Sequence, residues 1–80
     1  MNLRAEQCRA ARGLLNWTQD RLAGVAGVSR STVRDFESHR HELHPGTEAA
    51  LIRALEDAGV KLLAPSREGI GVRLRKAQPD

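Results

Sequence analysis

The sequence is poor in residues that stabilise many small domains. Its 80 residues include one cysteine, one tryptophan, one phenylalanine and no tyrosine. The lone Cys8 cannot form an internal disulfide, which favours a reducing compartment, and we expect its thiol to be a small buried apolar group rather than a nucleophile. A chain of this length supports one domain, and its core is expected to be aliphatic.

Long apolar runs are absent as well. Arg4, Glu6 and Arg9 interrupt the N-terminal segment, so we expect neither a membrane span nor a signal peptide and predict a cytoplasmic location. The sequence also lacks a Gly-rich phosphate loop, paired carboxylates in an apolar setting, and a Ser or Cys beside a credible His base. We therefore predict that the protein is not an enzyme and uses no cofactor.

Residues 18–37, TQDRLAGVAGVSRSTVRDFE, are the most informative stretch. They predict two short helices joined by a tight turn. Thr18 and Ser29 can each cap a helix N-terminus by accepting from a free backbone N–H group. Gly27 lies between the helices, where the turn needs a residue that tolerates left-handed dihedral angles. The stretch therefore predicts a helix-turn-helix.

Apolar spacing predicts the buried side of each helix. In the first helix, Leu22, Val25 and Ala26 fall at i, i+3 and i+4, which is the spacing of one buried face. In the second helix, Val33 and Phe36 form the predicted buried pair. Four polar residues of the second helix are expected on its opposite, exposed surface: Arg30, Ser31, Arg34 and Asp35.

Short groups of residues in this stretch carry a family resemblance: Thr18-Gln19, Leu22-Ala23, Gly27-Val28-Ser29, Thr32-Val33 and Phe36-Glu37. With them, the sequence resembles the DNA-binding unit of the lambda-repressor/Cro-like (XRE) helix-turn-helix family. The likeness extends more loosely from about Cys8 to Leu55, and it departs at Arg21, where many relatives carry an acid. It implies a mainly α fold, namely a compact four- to five-helix lambda-repressor-like domain.

The function implied by this resemblance is that of a sequence-specific, double-stranded DNA-binding transcriptional regulator. The helix over 29–37 would enter the major groove, which is wide enough for one helix. Arg30 is the first candidate for a base contact because guanidinium can bond both acceptors of a guanine edge. The other candidates are Ser31, Arg34 and Asp35. Arg34 could contact a base or a phosphate, and Asp35 could accept from cytosine or restrain a neighbouring arginine, Arg34 or Arg30.

Contacts with the DNA backbone are expected from residues that flank this surface: Thr18, Gln19, Thr32, Ser38, His39 and Arg40. The resemblance implies that Thr18 and Gln19 anchor the backbone and brace the second helix. Thr32 could instead be a simple helix residue.

The first helix is predicted over 3–12, with Asn2 as its cap and Gly13 as its end. The resemblance implies a structural pair between Arg12, near the end of this helix, and Glu37. Such a pair would fix the orientation of the 29–37 helix. The alternative is that Glu37 is a solvated acid at a helix end.

Three histidines follow Glu37 within six positions: His39, His41 and His44. They precede a proline, and no cysteine or acid-rich ligand set accompanies them. A helical i, i+4 pair of histidines is also missing. We therefore predict no metal site here.

The last helix is predicted over 48–58, capped by Thr47 and ended by Gly59. Pro45 and Gly46 are assigned to the preceding loop because both residues are typical of turns.

The C-terminal residues change to a strand pattern. Residues 60–62 and 72–75 alternate apolar with basic side chains, which predicts a short β-hairpin or strand. Because an isolated hairpin is marginal in water, we predict that it pairs with its copy across a two-fold axis. The side chains expected to dimerise are Val60, Leu62, Val72 and Leu74. The alternative is a frayed basic tail formed by Arg73, Arg75 and Lys76.

The predicted organisation is a helix-turn-helix DNA-binding domain over 1–59, a dimerising β extension over 60–76 and a flexible tail over 77–80. The formal net charge of +3 and the pI near 10.0 are compatible with a polyanion partner. We expect a homodimer on an inverted repeat of double-stranded DNA. An alternative function is an antitoxin-like or regulatory module that binds a small protein partner, with DNA binding serving autoregulation.

Overall fold

A computed structural model of the protein describes residues 2–75, which form four helices followed by a two-stranded antiparallel hairpin. The elements are α1 (Ala5–Leu15), α2 (Gln19–Ala26), α3 (Arg30–Glu37), α4 (Pro45–Asp57), β1 (Val60–Ser66) and β2 (Gly69–Leu74). The predicted mainly α fold with a C-terminal hairpin is confirmed. Within residues 2–75, no helix is long and apolar enough to cross a membrane. The predicted tail over 77–80 lies outside the described residues.

Local capping positions α2 and α3, as the sequence predicts. The Thr18 hydroxyl accepts from the Arg21 N–H at 3.0 Å, and the Ser29 hydroxyl accepts from the Thr32 N–H at 3.1 Å. Gly27 ends α2 with a φ of 73°, the left-handed conformation that glycine adopts at low cost. These contacts depend only on near neighbours in the chain, which is why the sequence indicates them.

The core is mainly aliphatic, with Phe36 as its buried aromatic side chain among the described residues, and every element contributes to it. Leu22 of α2 packs with Val33 and Phe36 of α3, as predicted, and Ala23 is buried with them. Ala26, also predicted to be buried, is half-buried against this core. Val25 was predicted to be buried, but its side chain is 50% exposed. The prediction was wrong because α4 covers only part of the apolar face of α2, and Val25 lines an open groove beside α4.

The predicted ends of α1 are also wrong. The helix begins after Arg4 rather than Asn2, and the Gln7 side-chain oxygen accepts from the Arg4 N–H at 3.1 Å. It continues through Gly13 and ends at Leu15, where Asn16 adopts a left-handed φ of 57°. Asparagine tolerates this conformation better than most residues, so it replaces glycine as the stop.

The start of α4 lies earlier than predicted. Its first residue is Pro45, with His44 at the cap position, so Pro45 and Gly46 are helical and Thr47 is not the cap. Proline is favoured at the first helical position because its missing N–H would have no intrahelical partner there. Glu48 accepts from the Leu3 N–H at 2.9 Å, which attaches the N-terminal segment to α4.

The hairpin packs on the helices of its own chain. Val60 and Leu62 are 1% and 6% exposed and belong to the same core as the helices. The first strand begins at Val60, just after Gly59. The buried Gln7 amide nitrogen donates to the carbonyl oxygens of Leu63 and Gly71, both at 3.0 Å, and so fastens both strands to α1.

The alternative of a frayed basic tail is wrong for Arg73, which lies within β2 opposite Lys61. Arg75 follows the strand, and its N–H donates to the Gly59 carbonyl at 2.7 Å. Lys76 lies outside the described residues.

Candidate nucleic-acid interface

The two sides of α3 differ sharply in exposure. Val33, Phe36 and Glu37 are buried, whereas Arg30, Ser31 and Arg34 are exposed and Asp35 is half-buried. The four residues predicted for base contacts therefore share the surface that faces away from the core. A helix of this kind can enter a major groove only through that surface.

Two ion pairs lie on the exposed surface of α3. Arg34 Nε is 3.1 Å from Asp35 Oδ1, which is the restraint proposed above for Asp35. Arg30 Nε lies 3.5 Å from Asp20 Oδ1 of α2. All four side chains keep solvent contact, so each pair is weak and can exchange its partner for a ligand.

Hydroxyl groups surround the N-terminus of α3. Ser29 Oγ lies 2.6 Å from Thr32 Oγ1 and 3.2 Å from Ser31 Oγ. The Thr32 hydroxyl is thus part of the capping arrangement as well as being a candidate phosphate contact. This end of the helix carries the partial positive charge of the helix dipole, which favours an anion.

The loop after α3 carries the other candidate backbone contacts. Ser38, His39 and Arg40 are exposed, and an open depression connects this loop with the exposed surface of α3. The depression is lined by Arg34, Asp35, Ser38 and Arg40. The Arg40 N–H donates to the Asp35 carbonyl at 2.8 Å, which ties the loop to α3.

His39 is oriented toward α1 instead. It has a left-handed φ of 62°, and its Nε2 atom lies 3.3 Å from a Glu6 carboxylate oxygen. Among residues 2–75, no group of three or more His, Cys, Asp or Glu side chains is arranged to hold a metal ion.

A buried ion pair holds the C-terminal end of α3. Arg12 donates to the Glu37 carboxylate through Nε at 2.8 Å and Nη2 at 2.6 Å, and Gln19 Nε2 donates to the same carboxylate at 3.0 Å. Arg9 donates to the Glu37 backbone carbonyl. Glu37 is only 2% exposed, so the alternative of a solvated helix-end acid is excluded. Gln19 braces α3 from the start of α2, as the resemblance implies.

The charge state of this cluster follows from its contacts. Burial alone would raise the pKa of Glu37, but hydrogen bonds from Arg12, the Cys8 thiol and Gln19, with the charge of Arg12, hold it below its usual value. Burial raises the pKa of the Cys8 thiol far above its usual value, and the Glu37 carboxylate adds to the effect. Cys8 is thus protonated and buried, which does not suit a nucleophile.

Three residues that form contacts between elements were not identified from the sequence: Gln7, Arg9 and Asp20. Their partners lie on other elements, and no spacing rule connects residues across a helix crossing. A glutamine amid the apolar positions of α1 was the only available signal, because a buried amide must find partners.

Comparison with known proteins agrees with this geometry. The family model described as Helix-turn-helix matches residues 9–56, which is more than half of the chain. A search of curated proteins found no match to the chain. The matched segment contains α2, α3 and the side chains of Arg12, Gln19 and Glu37, which we call the Glu37 cluster. Proteins of this family are DNA-binding regulators and generally not enzymes. The family predicted from residues 18–37 is therefore confirmed, and the chain belongs to the lambda-repressor-like (XRE) helix-turn-helix family.

Proposed function

We propose that the protein is a transcriptional regulator that binds double-stranded DNA sequence-specifically, in the cytoplasm, with the N-terminal half of α3 in the major groove. One observation carries the proposal. The Glu37 cluster and the core hold one side of α3, and the opposite side presents Arg30, Ser31 and Arg34 to solvent. A rigid helix with an exposed polar surface is what base reading requires.

Arg30 is the principal base-reading residue in this proposal. Its guanidinium lies at the first position of α3, with only the weak contact to Asp20 to displace. A bidentate contact with guanine contributes about 1–3 kcal/mol of discrimination. Ser31, Arg34 and Asp35 read or exclude the neighbouring bases. The pairing of Arg34 with Asp35 leaves that arginine able to contact either a base or a phosphate.

Six residues around α3 are assigned to the DNA backbone: Thr18, Gln19, Thr32, Ser38, His39 and Arg40. Arg40 is the strongest candidate because it is exposed and borders the depression beside Arg34. His39 needs a rotation away from Glu6 to reach a phosphate. Gln19 is already bonded to Glu37, so its part is to hold α3 while its backbone lies near the DNA.

The regulator acts as a homodimer on an inverted repeat, and β2 supplies the contact. Leu74 is 45% exposed and Ile70 is exposed on the same strand. The sheet has only two strands, so each strand has an edge that is unpaired within residues 2–75. Val60 and Leu62 contribute to the protomer core instead, and Val72 is half-buried against it. The dimer contact is thus narrower than the sequence predicts.

The test of DNA recognition is a selection from random duplexes of about three helical turns at moderate salt. We expect enrichment of an inverted repeat with half-sites about one helical turn, or about 34 Å, apart. A single unpaired motif would contradict the dimer and keep the reading of DNA. Retention of no sequence would contradict the proposal and favour a module that binds a protein partner.

The selected site then separates base contacts from backbone contacts. Arg30→Ala should relax one base position, whereas Arg40→Ala should weaken binding to all sequences alike and lower the salt dependence. Equal losses on every sequence from both changes would contradict the role of Arg30.

The dimer contact needs point variants because removal of residues after Gly59 would take Val60 and Leu62 out of the core. Leu74→Lys should shift the protein to a monomer in sedimentation. Leu14→Lys is the matched control, since Leu14 is an exposed leucine on α1. A Leu74→Lys protein that remains dimeric would contradict the assignment to β2.

A further inference from the structure

The positive charge of the protein is concentrated in the hairpin. Residues 2–59 contain eight basic and eight acidic residues, so the part with the helix-turn-helix has no formal net charge. Residues 60–75 contain four basic residues and one acid. The hairpin therefore accounts for the whole net charge of +3 among the described residues.

Two of the four basic residues share one face of the hairpin. Lys61 lies directly opposite Arg73 in the strand register, and both are exposed. Side chains alternate between the two faces of a strand, so this pair lies on the face opposite Val60 and Leu62. We call this outer surface, defined by Lys61 and Arg73, the basic face. The other face of the sheet packs on the core through Val60 and Leu62.

The basic face is not explained by contacts within the chain. Like charges directly opposite each other destabilise a sheet. None of the ion pairs formed within residues 2–75 includes Lys61 or Arg73. Arg75 has a structural contact, since its guanidinium donates to the Glu56 carbonyl at 3.0 Å. Protection of a strand edge requires charge but not an opposed pair of the same sign.

The basic face is separate from the exposed surface of α3. Both are attached to α1, the hairpin through Gln7 and α3 through Arg12. These residues are five positions apart, which corresponds to about 140° around a helix of 3.6 residues per turn. The hairpin and α3 therefore pack on different sides of α1.

We propose that the basic face binds the phosphodiester backbone of duplex DNA outside the groove segment that α3 occupies, without reading sequence. Duplex DNA presents one negative charge per about 1.7 Å of its axis, so a flat basic surface can meet it in many registers. The helix-turn-helix part has no formal net charge, so its attraction to DNA comes from local contacts around α3. The basic face adds attraction at a second place, and the inference thus goes beyond the sequence-specific function proposed above.

The test compares two double variants that remove the same charge. Lys61→Gln with Arg73→Gln removes the opposed pair of the basic face. Arg4→Gln with Arg53→Gln is the control, since both arginines are exposed and lie outside both surfaces. Binding to a fluorescent random-sequence duplex of about three helical turns is measured by anisotropy. The salt concentration is varied between roughly 50 and 200 mM, a range over which binding that depends on phosphate contacts weakens strongly. Thermal melting verifies that each variant is folded.

The logarithm of the binding constant falls as the logarithm of the salt concentration rises, and each phosphate contact contributes about 0.9 to the steepness. We expect the hairpin variant to make this dependence less steep by about 1–2. The control should keep the wild-type slope. A hairpin variant with the same salt dependence as the control would overturn the proposal. Binding to polyglutamate is measured in parallel, and its loss in that variant would indicate that the basic face binds an acidic protein instead.

The two proposals fail separately in this design. A normal slope for the hairpin variant, combined with lost discrimination in Arg30→Ala, would overturn the inference and leave the proposed function intact. A reduced slope in a protein that prefers no sequence would support the inference and contradict the proposed function.

Discussion

Replacement of Glu37 by glutamine tests whether the buried ion pair holds α3 in place. The carboxylate is 2% exposed and accepts from two nitrogen atoms of Arg12 and one of Gln19. Glu37→Gln keeps the shape but turns one acceptor into a donor and leaves the Arg12 charge without a counter-ion. Removal of one partner of a buried pair costs about 3–5 kcal/mol. Proteins of this size have a free energy of unfolding of about 4–12 kcal/mol, at roughly 0.05–0.15 kcal/mol per residue.

Urea denaturation followed by circular dichroism measures this loss. Glu42→Gln is the matched control because Glu42 is an exposed acid in the loop after α3. We expect the control to stay within about 0.5 kcal/mol of the wild type, as surface substitutions usually do. A Glu37→Gln protein as stable as the control would refute the reasoning that the pair stabilises this packing.

A second variant keeps the test informative if Glu37→Gln does not fold. Arg12→Lys retains the charge but cannot reproduce the paired Nε and Nη2 contacts with the carboxylate. We expect it to fold with a smaller loss and to bind the selected DNA site more weakly, because α3 loses its fixed orientation. Unchanged DNA affinity in a destabilised Arg12→Lys protein would show that the pair serves stability alone.

Three further changes have defined outcomes. Gly27→Ala should lower the free energy of unfolding by about 1–2 kcal/mol because φ is 73° there, whereas Gly24→Ala in the interior of α2 should raise it by about 0.5–1 kcal/mol; similar effects in urea denaturation would contradict the turn geometry. Gln7→Leu should accelerate amide hydrogen exchange in the hairpin, because two strand carbonyls lose their donor; unchanged exchange would contradict the fastening role. Since the folded pKa of Glu37 is lowered, its stabilisation is fully present above the unfolded pKa of about 4.3 and is lost as pH falls through the folded pKa. The stability difference between wild type and Glu37→Gln should therefore shrink between pH 7 and pH 3, and a constant difference would contradict the assigned charge state.

Local chemistry was predictable from the sequence where near neighbours determine it. Thr18, Ser29 and Gly27 act within a few positions of the groups that they bond or join, and the structure confirms these contacts. Glycine and proline did not predict the ends of α1 and α4 correctly, because both residues also occur inside or at the start of helices. Gly13 remains helical because Asn16 supplies the left-handed stop, and Pro45 begins a helix where it was expected to prevent one.

Contacts between elements were harder to predict because they depend on crossing geometry. Strand alternation predicted a dimer contact that includes Val60, Leu62 and Val72, but alternation does not identify what covers a strand face. The helices of the same chain cover it. The proximity of Asp20 and Arg30 likewise depends on how α2 and α3 cross, which no periodicity encodes. The Arg12 and Glu37 contact was accessible only through family resemblance.

The fastening of the hairpin by Gln7 has a consequence for synthesis of the protein on the ribosome. The two carbonyls that Gln7 bonds lie 56 and 64 residues later in the chain. A nascent chain that already contains α3 still lacks these partners and the two strand residues that complete the core. Premature termination after α4 should therefore yield a fragment in which α3 is not stably packed. We expect that such a fragment would not compete with the full chain for DNA, so early stop codons should behave as simple losses of function.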